Sequence, residues 1–83
     1  MLEYIMDYYP EEVFLKADGF DSAIIGVDEV SMRLIYSERL CLEELIVRDG
    51  MSMEEAIEYF DFNVRGSYVG EKTPIWCVDT MMG

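Results

Sequence analysis

Histidine is absent from this chain, cationic residues are scarce, and cysteine and proline occur only twice each. Without histidine, the usual general base, the usual activator of a serine nucleophile and the commonest metal ligand are all missing. Ser22, Ser31, Ser37, Ser52 and Ser67 therefore have no imidazole to deprotonate them. A zinc site would have to be built mainly from carboxylates, an uncommon ligand set. Cys41 and Cys77 stand too far apart in sequence for a CxxC redox or metal unit and read as reduced, buried thiols. Phosphate-loop and dinucleotide-binding glycine patterns are also missing. The expectation is a binder that is not an enzyme, with no catalytic residues, no metal site and no cofactor.

The six cationic residues, Lys16, Arg33, Arg39, Arg48, Arg65 and Lys72, are scattered along the chain. Neutralising phosphates takes clustered Lys and Arg, so direct nucleic-acid binding is not expected. Anionic membrane surfaces are disfavoured for the same reason. Apolar runs fall far short of the roughly 20 residues that span a bilayer. The opening MLEYIMDYY is acidic and lacks the basic start of a secretory signal, which makes the cytosol the expected compartment.

What is present is acid and hydrocarbon together. The formal net charge is −12, yet 52% of residues are hydrophobic, too many for a disordered acidic tail. Eighty-three residues suffice for one compact domain. The most legible stretch runs from Ser37 to Tyr68 and predicts a helical hairpin, 38–49 and 53–65. Ser37 is suited to cap the first helix, whose Cys41, Leu42, Leu45 and Ile46 share one face. Gly50 stands where a left-handed residue would end it. Ser52 and Glu55 fit a capping box that opens the second helix. Its predicted buried stripe is Met53, Ile57, Phe60 and Val64, with Ala56 as the small packing residue.

Around this pair the pattern predicts an α+β fold with a small antiparallel sheet. Ala23–Val27 and Arg33–Tyr36 would form a hairpin within 23–36, and a C-terminal strand would follow near 75–78. Gly26 marks a possible bulge. A rival reading makes 20–25 a short helix. The first nine residues fit either a strand or a helical turn, ended by Pro10. Residues 79–83 are expected to fray.

Two groups of side chains stand out as candidates for binding. On the helices, Glu43, Glu44, Glu54, Glu58 and Asp61 predict an acidic outer face, in which Glu54 and Glu58 are one turn apart. Adjacent acids such as Glu43 and Glu44 diverge by about 100° and do not make a catalytic pair. Asp28 and Glu29 depart from the calcium-loop pattern. Aromatics are the second group: Tyr4, Tyr8, Tyr9 and Trp76 exceed what so small a core can hold and are candidate interface anchors.

The segment from Phe20 to Ile75 resembles a family of small acidic proteins of tailed bacteriophages. The likeness is carried by Ala23–Gly26, Tyr36-Ser37 and the block from Gly50 to Ile75 with the pattern GMSxEEAxEYFxxNVxGxYxGExTPI. It covers about two-thirds of the chain and implies a phage origin, with no catalytic residues to carry over. An acidic phage protein suits a basic partner, such as the nucleic-acid groove of a host nuclease or CRISPR effector. The leading expectation is thus an acidic inhibitor that blocks a basic surface of a host protein. The alternative is a structural or oligomeric phage accessory protein.

Overall fold

A computed structural model of the chain describes residues 1–67 and 69–80. The elements run α1 (Leu2–Tyr8), a single turn of 3-10 helix at Asp21–Ala23, β1 (Ile24–Asp28), β2 (Arg33–Ser37), α2 (Glu38–Asp49), α3 (Met53–Phe60), a π-helical turn at Asp61–Arg65, and β3 (Ile75–Cys77). This is a small α+β fold, as the sequence pattern implied. Leu2–Tyr8 resolve as helix: Ile5 and the half-buried Leu2 and Tyr9 pack on the core, while Tyr4 and Tyr8 face water. Both readings of 20–25 hold a part, since the 3-10 turn runs directly into β1.

β1 and β2 pair antiparallel as a hairpin, with Ile24 opposite Tyr36 and Gly26 opposite Ile35. The register slips between Ile24 and Gly26, so the expected bulge is there. Ile25, the extra residue, turns outward. The Asp28 carboxylate closes the connecting turn, accepting from Val30 N–H at 3.1 Å and from the Ser31 hydroxyl at 2.8 Å. Those bonds, the Ser31 hydroxyl foremost, hold the Asp28 pKa below its ordinary value.

β3 corrects one expectation. It pairs with β2 in parallel, Tyr36 opposite Trp76, so the sheet is mixed and its order is β1-β2-β3. The reason lies in the connection. The chain leaves β2 directly into α2, returns through α3, and can then re-enter beside β2 in the same direction, as crossovers through helices do.

Ser37 ends β2 and caps α2, accepting from Leu40 N–H at 3.1 Å. Its hydroxyl donates to Asp79 Oδ2 at 2.5 Å, and Asp79 Oδ1 accepts from Arg39 N–H at 2.9 Å. Asp79, expected to begin a frayed tail, is thus tied to the first turn of α2; residues 81–83 lie outside the described residues. Burial pushes the Asp79 carboxyl up, but the bonds from Ser37 and Arg39 outweigh it and leave the pKa lowered. Gly50 ends α2 at φ 70°. The capping box of Ser52 and Glu55 is complete.

The core joins Ala23, Ile24, Leu34 and Tyr36 to Cys41, Leu42, Leu45, Ala56, Phe60 and Val64. Tyr36 is fully buried and its hydroxyl accepts from Ala17 N–H at 2.8 Å, which closes the long 9–20 loop over the sheet. Cys41 is buried as expected and its thiol is pushed up to about 12, chiefly by burial; Cys77 is half-buried, and both are free.

Candidate functional site

Ala56, Phe60 and Val64 point into the core as the periodicity predicted, but Met53 and Ile57 do not. They are 55% and 44% exposed. The apolar arc of α3 is wider than the surface that α2 and the sheet can cover. Its uncovered edge meets Leu42 and Ile46 of α2 and leaves an open groove of about 480 Å³ between the two helices. Glu38, Arg39, Glu43 and Thr80 complete its lining.

Charge lies along the α2 side of this groove, in Glu38, Arg39 and Glu43. Each of Glu54, Glu58 and Asp61 lies about one residue, or 100°, beyond an apolar position of α3 and so on its water side. Glu54 and Glu58 are exposed and have no ion-pair partner among the described residues. Asp61 lies 3.5 Å from Arg65, one turn on. On the α2 bank Glu43 lies 3.8 Å from Arg39 and stays largely exposed. Arg65 also reaches across to Glu38, and its guanidinium stacks over the Phe60 ring at 5.3 Å.

Of the five predicted acids, Glu58 lines a separate hollow with Glu55, Tyr59 and Phe62, Glu54 and Asp61 lie exposed on the water side of α3 and of the turn after it, and Glu43 lines the groove. Glu44 points to the opposite side of α2, where it accepts from the Ser22 hydroxyl at 3.2 Å and pairs with Arg48 at 3.6 Å. Arg48 is itself anchored, donating to Gly19 C=O at 2.5 Å and to Asp49 at 3.1 Å. This bond with Asp49 holds the aspartate pKa down.

The predicted aromatics divide further. Tyr4 and Tyr8 are 81% and 77% exposed on α1. Tyr9 turns inward against the core, and burial followed by the charge of Glu29 raises its pKa. Trp76 is half-buried and packs between Tyr36, at 5.1 Å, and Phe60, at 5.4 Å edge to face. α1 packs on β1, α2 on β2 and α3 on α2, so the exposed tyrosines and the helix acids belong to different elements. Tyr68 lies outside the described residues.

Sequence reasoning missed the groove residues Leu42, Ile46, Met53 and Ile57 as a surface, placing the first two on one apolar face of α2 and the last two in the buried stripe of α3. The available signal was the breadth of the apolar arc on a helix only eight residues long. Among the described residues no cluster of three Cys, Asp or Glu could hold a metal ion, and no helix is long and apolar enough to cross a membrane. No protein-family model, curated protein or solved structure matches the chain.

Proposed function

We propose that this chain is a binding protein of a tailed bacteriophage that occupies a basic surface of a host protein and blocks it. In its sharpest form the reading is an anti-defence inhibitor of a nuclease or a CRISPR effector, acting in the host cytoplasm by presenting acids where that enzyme holds nucleic acid. It is a binder and not a catalyst. The observation that supports it is the disposition of charge. Every Lys and Arg except Arg33 already lies beside an acid of its own chain, and Arg33 donates to Thr73 C=O. The surplus that faces water is therefore wholly negative. Such a field speeds encounter with a positive partner and repels nucleic acid.

The test is capture from a lysate of the bacterial host at low and high salt, followed by assay of the captured protein's activity with and without added chain. The reading expects a nucleic-acid-binding enzyme, held at low salt, released at high salt and inhibited by the chain. Capture of abundant proteins alone, or a partner whose activity is untouched, would count against it. The accessory-protein alternative draws on the exposed apolar side chains, Val47 and Phe62 among them. Light scattering separates the two, because a self-associating subunit must overcome twelve net negative charges per copy.

A further inference from the structure

We infer that the groove between α2 and α3 is a seat for a basic amphipathic helix of the partner. The inference rests on the binding reading above and adds where the partner docks and what part of it docks there. Leu42 forms the buried floor, Ile46 is half-buried, and Met53 and Ile57 wall the groove while remaining about half exposed. From Arg39 to Ile46 the α2 wall runs about 10 Å, or two helical turns. That length admits two apolar side chains of an incoming helix, placed three or four residues apart, the spacing by which helices enter grooves.

The banks select the charge of the occupant. Glu38 and Glu43 line the groove from α2, and on the α3 side the exposed Glu54, next in sequence to the lining residue Met53, has no ion-pair partner among the described residues. Lys or Arg flanking the two anchors would meet them. Arg39 is the cation lining the groove, and it is already beside Glu43. A second copy of the chain is a poor occupant. It would bring a charge of −12 to a surface of equal charge, and a two-fold contact would set Glu43 and Glu54 against their own equivalents.

The experiment titrates the full chain, with labelled Ile, Leu and Met methyls, with a short synthetic helix of Leu and Lys. The control is a peptide of the same composition scrambled so that its leucines share no face. The expected result is methyl shifts centred on Leu42, Ile46, Met53 and Ile57, with the scrambled peptide binding about tenfold or more weaker. Ile57→Glu and the milder Met53→Ser, each checked for native circular dichroism, should each weaken the patterned helix by a similar factor.

Equal binding of the two peptides would overturn the inference, as would shifts centred on Leu2 and Met6 of α1 or unchanged affinity in folded Ile57→Glu or Met53→Ser. Each of these would leave the broader reading of a receptor for positive charge intact. Failure of both peptides to bind at low salt would remove that reading as well.

Discussion

The contact between Asp79 and the start of α2 can be tested by substituting Asp79→Ala. The carboxylate accepts from the Ser37 hydroxyl at 2.5 Å and from Arg39 N–H at 2.9 Å. The Arg39 N–H is one of the first-turn donors that have no partner inside the helix. Hydrogen bonds to a charged group contribute about 1.5–3 kcal/mol each when shielded, and less where water can replace them. Asp79 is only half-buried, so both together are worth about 2 kcal/mol, including its favourable position at the positive end of the helix. For a domain of this size that corresponds to a fall in Tm of roughly 8–16 °C. Trp76, the single tryptophan, reports unfolding from between Tyr36 and Phe60.

The same contact fixes a pH dependence. The Asp79 pKa is lowered by folding, so its contribution is complete above the unfolded value of about 4 and is lost as pH falls through the folded one. The gap in stability between the native chain and Asp79→Ala should therefore be widest near neutrality and close in acid. Asp28, Asp49 and Glu55 are lowered too, so both proteins still lose stability in acid. A loss under about 0.5 kcal/mol near neutrality, within the range of an ordinary surface change, would mean that the segment after β3 does not hold α2.

Other outcomes follow from the core and its turns. Tyr36→Phe leaves the Ala17 N–H without its acceptor and should cost about 1–3 kcal/mol in urea unfolding; no change would mean that water replaces the hydroxyl. Phe60→Ala empties the site between Trp76 and the Arg65 guanidinium and should cost about 3–5 kcal/mol, with a shift in Trp76 emission. Cys77 should react with a thiol reagent at pH 8 well before Cys41, whose burial pushes its pKa to about 12; equal rates would contradict the buried position of Cys41. Gly50→Ala should lose about 1 kcal/mol through its left-handed backbone alone, since the space beside it is open.

The parts of the fold that could be read from the sequence were those decided within a few residues. Ser37, Gly50 and the Ser52–Glu55 box set the helix boundaries through bonds to their own neighbours, and Gly26 marked a bulge that the register bears out. What could not be read was decided across the chain. The direction of β3 depends on where the helix pair delivers it, and the position of Asp79 on a contact forty residues away. The packing of Trp76 against Tyr36 and Phe60 is likewise invisible in its sequence neighbours.

The candidate site was half legible for the same reason. Periodicity identified the apolar arc of α3 but not how much of it another element covers, so Met53 and Ile57 were assigned to the core. Spacing on α3 puts Glu54 and Glu58 on its exposed side, where they are found. On α2, Glu44 was lost to the face that holds Ser22 and Arg48, a contact that helix spacing does not report.

The account depends most on negative charge beside an apolar groove being what a positive partner recognises. The direct measurement is the affinity of the captured partner for the native chain and for Glu54→Lys with Glu58→Lys, across a series of salt concentrations. The account predicts that the native complex weakens steadily as salt rises. The doubly reversed chain should bind about tenfold or more weakly at low salt and approach the native value at high salt. Equal affinities for the two chains with no dependence on salt would contradict it.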